Sequence, residues 1–281
     1  MTRDYLVQLL DAYWFAPPVA LWRAIELRAV GELEYERPLL DLGCGDGLIG
    51  QIAFGTGPQV EVGLDPWLEQ LRQAAAVGIY RHIDQGIGHA LPYADGSFST
   101  VFSNSVLEHI PEVAPVLHEV SRVLRPGGRF VFTVPSDAFP EMLDGYALRM
   151  AAGDPRGAAA YVSATDERLE HHHYHTPQEW AALLSDAGMA LQRANYYMPS
   201  DVERFWDRVD RRWAGSGHPR RLRGWVWRAL VSPRLRPLGH QQVLRRLVVA
   251  YLRRRWRPYY DTEVDPGAKG GGLLVVAQRK E

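Results

Sequence analysis

Apolar and polar positions along this chain follow two rhythms, and the clearest feature is a short apolar run that ends abruptly. Leu39-Leu40-Asp41-Leu42 leads into Gly43-Cys44-Gly45-Asp46-Gly47. Glycine at every second position lets backbone approach backbone or ligand, so Pro38 to Gly43 reads as a buried strand stopping at a tight loop. A helix follows from about Leu48, its first N–H groups turned toward the loop. Val60 to Asp65 is a second apolar run, closed by an acid and Pro66, and Trp67 to Val77 has helical spacing. These pieces predict a βαβ unit with a right-handed crossover. Further strands are predicted at Tyr80 to Asp84, Phe98 to Asn104 and Phe130 to Val134. Between the last two, a helix from Glu112 to Leu124 stops at Arg125-Pro126-Gly127-Gly128, which suits a type II turn.

Outside this core the pattern is less regular. Arg3 to Val30 reads as two helices broken at Tyr13-Trp14-Phe15-Ala16-Pro17-Pro18, the second carrying Trp22, Ile25 and Ala29 at helical spacing. Ser136 to Glu170 is punctuated by Gly145, Gly153 and Pro155 and reads as an irregular segment at a strand's carboxyl end. Thr176-Pro177-Gln178-Glu179 signs a helix start with a capping box, and that helix ends before Gly188. Met189 to Met198 and Leu273 to Gln278 complete the strands. The predicted organisation is therefore an N-terminal helical lid (1–30), an α/β core (31–199), a helical insertion (200–266) and a last core strand (267–281).

Composition narrows the classes. With 281 residues, 46% apolar and 23% charged, the chain is long enough for one large α/β domain with an insertion. Its single cysteine, Cys44, excludes an internal disulfide and a multi-cysteine zinc site. No apolar signal segment follows Met1 and no run approaches a membrane span, so a cytoplasmic protein is expected. The net charge of −1 conceals an asymmetry: Ser200 to Tyr260 holds 16 arginines against 4 acids. Trp206, Trp213, Trp225, Trp227 and Trp256 are interleaved with those arginines, and Pro219, Pro233, Pro237 and Pro258 are expected to break its helices. Such a stretch suits a helical cap whose arginines pair with acids, or peripheral contact with an anionic membrane. No nucleic-acid recognition motif is present, which disfavours nucleic acid as a partner.

The candidate chemistry begins at the glycine loop, a nucleotide-type pocket in outline. Asp65, about 20 residues on, is placed to accept both ribose hydroxyls of an adenosine-containing ligand. A dinucleotide fingerprint wants its third glycine at position 48, which is Leu48, and the glycine comes one residue early at Gly47. A nicotinamide-dependent oxidoreductase is thereby disfavoured but stays an alternative. His109, just past the fourth strand, is the first candidate for a general base. Tyr146 and Arg149 have the reach to touch a substrate. The run His171-His172-His173-Tyr174-His175 is better read as a surface or substrate-lining loop than as a metal site, because Thr176-Pro177 follows and no acid-and-histidine helix pattern completes a ligand set. Cys44 matters for its backbone more than its thiol.

Taken in order, Asp41-Leu42-Gly43-Cys44-Gly45-Asp46-Gly47, Gly63-Leu64-Asp65, Leu91-Pro92-Tyr93, Ser97-Phe98, Leu107-Glu108-His109-Ile110 and Arg125-Pro126-Gly127-Gly128 resemble the class I S-adenosylmethionine-dependent methyltransferases. The resemblance is nearest to their small-molecule branch, methyltransferase type 11, and covers roughly Pro38 to Pro135. It implies a Rossmann-like, seven-stranded, mostly parallel sheet with helices on both faces and an antiparallel last pair. It implies S-adenosylmethionine as cofactor, with S-adenosylhomocysteine as product. The methionine end would lie over Gly43, Cys44 and Gly45 with Asp41 near its amino group. Asp65 would hold the ribose, and Pro66, Trp67, Gly88, His89 and Ala90 would flank adenine. Ser103 to Ser105 would face the reacting methyl, with Asn104 among the cofactor contacts, and His173 or His175 would lie near the acceptor. Two positions depart from the family's habit: Ile87-Gly88-His89 where an aspartate reads the adenine amino group, and Ser99 where an aspartate commonly follows Ser-Phe. A small molecule, lipid or glycan acceptor is expected, methylated at oxygen or nitrogen. A non-catalytic S-adenosylmethionine-binding protein at the membrane surface is the other alternative.

Overall fold

The computed structural model describes residues 3–57, 59–214 and 240–281. Pro219, Trp225, Trp227, Pro233 and Pro237, and the side chain of Trp213, lie outside the described residues. The strands are β1 Leu39–Leu42, β2 Val60–Asp65, β3 Tyr80–Gln85, β4 Phe98–Asn104, β5 Leu124–Pro135, β6 Met189–Tyr197 and β7 Gly272–Arg279. The helices are α1 Tyr5–Ala12, α2 Pro17–Val30, α3 Leu48–Phe54, α4 Leu68–Val77, α5 Ala114–Val123, α6 Phe139–Met142, α7 Asp144–Ala151, α8 Pro155–Leu169, α9 Pro177–Asp186, α10 Ser200–Ala214 and α11 His240–Asp261. They fall into two compact units, one formed by 30–139, 164–197 and 270–281, the other by 1–29, 140–163 and 198–269.

The first unit is an α/β sheet in the order β3-β2-β1-β4-β5-β7-β6. Strands β1 to β5 pair in parallel, and β7 runs antiparallel to both β5 and β6. This is the Rossmann-like, mostly parallel sheet with an antiparallel last pair that the family resemblance implies. Every residue of β1 and β4 is buried, as expected of central parallel strands covered on both faces. Their apolar side chains meet Val116, Leu117 and Val120 of α5, and Trp180 and Leu184 of α9, in one core. Trp180 is fully buried, its ring edge-on to Phe132 at 4.9 Å. The capping box read from Thr176 and Glu179 is present: each side chain bonds the other's backbone N–H, at 3.2 and 2.7 Å.

One expectation holds in an altered setting and two fail in detail. Gly127 takes the left-handed φ that a type II turn over Arg125 to Gly128 needs, but the turn lies within β5, which begins at Leu124 and carries the segment as a bulge. Phe98 faces Leu124, while Thr100, two residues on, faces Arg129. Gly127 takes φ +75°, and a Cβ on Gly128 would sit 2.9 Å from the Arg125 carbonyl oxygen, so the bulge needs both glycines. The segment after β5 is not irregular but forms α6, α7 and α8. Pro155 opens α8, where its missing N–H costs nothing, and Gly145 lies inside α7 because a Cβ there would meet the Tyr161 ring at 2.3 Å. Nor does Pro258 break its helix, since α11 runs through it to Asp261.

In the second unit, α10 buries Val202, Glu203, Trp206 and Asp207. The Trp206 indole donates to the Pro18 carbonyl at 3.1 Å and its ring lies 5.0 Å from Trp22. Asp207 accepts from the Gly145 N–H (2.9 Å) and the Tyr161 hydroxyl (2.5 Å). Helix α11 packs Leu252, Trp256 and Tyr260 inward and pairs with α1 through Arg245–Asp11 and Arg257–Asp4. Some of the insertion's arginines are thus neutralised by acids.

Candidate functional site

The loop after β1 is closed by its own backbone. The N–H groups of Gly43 and Cys44 both donate to the Leu64 carbonyl, at 2.8 and 3.0 Å. Gly45 N–H donates to Asp65 Oδ2 at 3.0 Å across 20 residues, and Trp67 N–H donates to Asp65 Oδ1 at 2.9 Å. Asp65 is therefore buried and aimed before any ligand arrives, and each of its oxygens keeps a lone pair for a hydroxyl. Gly43, Gly45 and Gly47 all have positive φ, but they do different work. A Cβ on Gly43 would strike Val106 at 2.5 Å, and one on Gly47 would reach Ala74 and Tyr80 at 3.1 Å. A Cβ on Gly45 would meet nothing within 4 Å. Gly43 and Gly47 serve packing, whereas Gly45 presents bare backbone to open space. The start of α3 is less available than its place suggests, because Asp46 Oδ1 accepts the Leu48 N–H at 3.0 Å.

Behind the loop stands Tyr80, at the start of β3. Its hydroxyl donates to Asp41 Oδ2 at 2.7 Å. Its ring fills space that glycine leaves at three places: a Cβ on Gly47, Gly50 or Gly63 would come within 3.1 Å of it. Burial pushes the Asp41 carboxyl up to about 7; the Tyr80 hydrogen bond pulls it down and the Asp65 charge pushes it up again. Burial, then Asp41 and Asp65, hold the Cys44 thiol well above its usual value, so it is inert. Asp41 and Asp65 thus make an acidic floor that a cationic group would relieve.

Farther along the strand ends, Gln85 donates to the Pro66 carbonyl at 2.9 Å, and an Ile87–Ala90 bridge closes the turn holding Gly88 and His89. Gly88 is close-packed, since a Cβ would lie 3.1 Å from Val116. His89 and Ala90 are exposed. Trp67 is 71% exposed and Ile87 45%, so flat apolar faces stand at the ends of β2 and β3, where a purine ring could stack. The adjacent Tyr93 donates to Asp84 at 3.0 Å, a pair that no local pattern signals.

At the carboxyl end of β4, the Ser103 hydroxyl donates to the Leu42 carbonyl at 3.0 Å and Asn104 is buried. Ser105 takes φ +49°, an unusual conformation for a residue with a side chain, held by N–H bonds to the Thr133 carbonyl (3.0 Å) and hydroxyl (3.1 Å). His109 follows in a short 3-10 turn. Its Nδ1 lies 3.0 Å from the Glu170 carbonyl and must donate to it, and its Nε2 lies 3.9 Å from Glu108 Oε1. His173 donates from Nε2 to the Ile110 carbonyl at 3.1 Å and stacks on His175 at 4.6 Å. Burial pushes both imidazoles down, so they are neutral at pH 7. Asp41, Gly43, Cys44, Gly45, Asp65 and Trp67 are thus brought together around one loop, and His109 and His173 around the turn after β4. Tyr146 and Arg149 belong to the other unit, where Arg149 donates to the Gly145 carbonyl (2.8 Å) and lies over the Tyr161 ring (4.7 Å). Among the described residues, no three His, Cys, Asp or Glu side chains converge as a metal site.

Comparison with known proteins agrees with this geometry. Residues 40–132 match the family model described as "Methyltransferase domain". The malonyl-[acyl-carrier protein] O-methyltransferase of Pseudescherichia vulneris is 34% identical over 116 residues, 40% of this chain and 46% of the relative. The ubiquinone biosynthesis O-methyltransferase of Xanthomonas euvesicatoria is 28% identical over 160 residues, 55% of this chain and 63% of the relative. The matched stretch thus spans about half the length of these curated relatives. A solved structure of a S-adenosylmethionine-dependent methyltransferase from Thermotoga maritima superposes with TM-score 0.54 at 14% identity, covering 98% of this chain and all of that one, a likeness of fold. The family match counts against the nicotinamide alternative for the glycine loop. Residues 40–132 are a methyltransferase domain that matches the type 11 family, on the Rossmann-like fold of the S-adenosylmethionine-dependent methyltransferases, and the cofactor such a domain takes is S-adenosylmethionine.

Proposed function

We propose that the protein transfers a methyl group from S-adenosylmethionine to an oxygen or nitrogen of a small-molecule, lipid or glycan acceptor, leaving S-adenosylhomocysteine. The observation that carries this reading is the clamp of Asp65 by the Gly45 and Trp67 N–H groups beside a loop whose Gly45 faces open space. Two relatives named as O-methyltransferases favour oxygen. S-adenosylmethionine supplies a methyl group already activated on its sulfonium, so the protein's task is alignment and water exclusion. In this reading Asp65 takes the ribose hydroxyls, Asp41 faces the amino group, and Pro66, Trp67, Gly88, His89 and Ala90 flank adenine. Asn104 and its neighbours at the end of β4 border the methyl group. An acceptor protonated at neutral pH needs a base, and the histidines gathered after β4 and before α9 supply it, with His109 as the candidate its position suggests. His173 is a proposed acceptor contact. S-adenosylhomocysteine should raise the melting temperature while NAD does not; a protein indifferent to both refutes the reading.

One observation favours an added role at a membrane surface. On α11, Val243, Leu247 and Tyr251 follow one another every fourth residue and are 60 to 64% exposed. Arg246, Arg253, Arg254 and Arg255 are exposed around them. An apolar stripe flanked by arginines suits an anionic bilayer. No helix of the described residues is long and apolar enough to cross a membrane.

A further inference from the structure

Between β3 and β4 the chain runs from residue 86 to residue 97 with neither helix nor strand. A crossover between parallel strands is usually a helix, which satisfies its own backbone. Here the Ile87–Ala90 bridge is closed by the Ala90 N–H, which donates to the Ile87 carbonyl at 3.2 Å, and the rest is held from α5. Arg122, in the last turn of that helix, has a guanidinium with five N–H groups. Two of them donate to the two oxygens of Glu119, at 2.7 and 2.8 Å. The others reach the Leu91 carbonyl (3.0 Å), the Tyr93 carbonyl (2.7 Å) and Asp95 Oδ1 (2.8 Å). Glu119 Oε2 accepts the Leu91 N–H at 2.7 Å, and the Arg122 carbonyl accepts the Gly96 N–H at 3.0 Å. One ion pair thus holds both the N–H and the carbonyl of Leu91. Its hydrogen bonds to Arg122 keep the Glu119 carboxyl below its usual range, so the pair is ionised at pH 7.

Leu91 is the residue after Ala90, and its side chain is buried in the core. Gly88 packs on Val116 of the same helix, where a Cβ would lie at 3.1 Å. Helix α5 therefore supports the turn at Gly88 and again at Leu91. At its other end the turn is tied to β2, because the Gly86 N–H donates to the Asp65 carbonyl at 3.2 Å and Gln85 donates to the Pro66 carbonyl. The spacing between His89 and Ala90 on the turn and the exposed Trp67 after β2 is set by these two anchorages. A lysine at position 122 would keep the charge, but a single ammonium cannot span two carboxylate oxygens and two carbonyls as the planar fork does.

We infer that Arg122, acting with Glu119, is a positioning residue for the purine of the cofactor: the pair fixes the Leu91 backbone, and through it the Ile87–Ala90 turn opposite Trp67 between which adenine is held. The inference rests on the methyl-transfer reading. Adenine binding then depends on two side chains of α5 whose own partners are backbone groups and each other.

The test compares three ligands on the full chain, by calorimetry and, for the weakest, by ligand-observed NMR. They are S-adenosylhomocysteine, methylthioadenosine, which keeps the purine and lacks the amino-acid arm, and S-ribosylhomocysteine, which lacks the purine. Arg122→Lys should weaken S-adenosylhomocysteine and methylthioadenosine by about tenfold each and leave S-ribosylhomocysteine unchanged. Glu119→Gln should give the same pattern at about threefold, and carries the test where Arg122→Lys does not fold. Asp65→Ala, which loses the ribose contact, should weaken all three. Equal weakening of the three ligands by a folded Arg122→Lys protein, or of none, overturns the inference, because a merely structural arginine would treat them alike. A wild type that binds S-adenosylhomocysteine no better than S-ribosylhomocysteine overturns the purine site itself. A wild type that binds none of the three overturns the methyl-transfer reading and this inference with it.

Discussion

The Tyr80 hydroxyl donates to Asp41 Oδ2 from behind the glycine loop, so a residue of the third strand favours the ionised form of an acid in the first, against the burial that disfavours it. Burial holds the Asp41 carboxyl at about 7 against a usual 3.8. With the native value raised, the folded protein keeps a proton that the unfolded chain has lost between pH 3.8 and about 7. Stability from this group is therefore present below pH 3.8 and drains away as pH rises to about 7, by at most about 4 kcal/mol at 1.36 kcal/mol per pH unit. Asp41→Asn, which can still accept from Tyr80, should gain stability over the wild type across that window and hold the gain above it, while binding cofactor more weakly. A cationic amino group favours the ionised carboxyl, so wild-type affinity should rise through pH 7 with proton release. Calorimetry in buffers of different ionisation heat measures that release; no proton release near pH 6.5 contradicts the placement of Asp41.

Gly43 and Gly45 should separate stability from binding. Gly43→Ala brings a Cβ against Val106 at φ +77°, and should cost roughly 2–4 kcal/mol in denaturant melts, with part recovered by Val106→Ala. Gly45→Ala meets no atom, and should cost only about 1 kcal/mol for its left-handed backbone. Its cofactor affinity should nevertheless fall at least about tenfold. Equal losses of stability from the two substitutions would contradict the division of labour.

Glu203 is fully buried on α10 with neither carboxylate oxygen hydrogen-bonded, one turn from Asp207. Burial first, and then Asp207, push its carboxyl well above the usual range, so the folded state pays a growing penalty as pH rises past 4.5. Glu203→Gln should therefore raise the melting temperature more at pH 8 than at pH 5. A difference that is flat with pH would mean that Glu203 is not protonated in the fold.

Vesicle sedimentation tests the α11 stripe. The protein should partition onto phosphatidylglycerol vesicles but not phosphatidylcholine ones, and about 0.5 M salt should release it. Val243→Ser, Leu247→Ser and Tyr251→Ser combined should lower partition by about tenfold, as should replacing Arg246, Arg253, Arg254 and Arg255 with glutamine. Binding that ignores lipid charge, or survives both sets, removes the membrane from the account.

Legibility in the sequence followed the range of the interactions. The strands β1, β2 and β4 could be placed almost to the residue because each is a short apolar run closed by an acid, asparagine or glycine. The α9 start was equally plain, since a capping box is written in four consecutive residues. Asp65 was legible because its spacing from the loop is short. Tyr80 and Arg122 were not, because their work depends on β3 lying beside β2 and on α5 packing against the chain between β3 and β4. Those are facts of register and packing that no local pattern carries. The helices between β5 and α9 were missed because glycine and proline were read as punctuation, when Pro155 opens a helix and Gly145 makes room for Tyr161.

The position of β7 bears on how the protein can be made. This strand is last in sequence, yet it lies between β5 and β6, with Gln278 opposite Arg129 and Gly272 opposite both Pro135 and Tyr197. While the chain is being synthesised, β5 has a bare edge and β6 has no neighbour at all until residues 272–279 leave the ribosome. The whole stretch from Met198 onward must emerge before the sheet can close. Closure over such long separations is slow, and an unpaired strand edge is the kind of surface that aggregates. A nascent chain arrested before Gly272 should remain open to protease along β6, and the same chain extended past Arg279 should not.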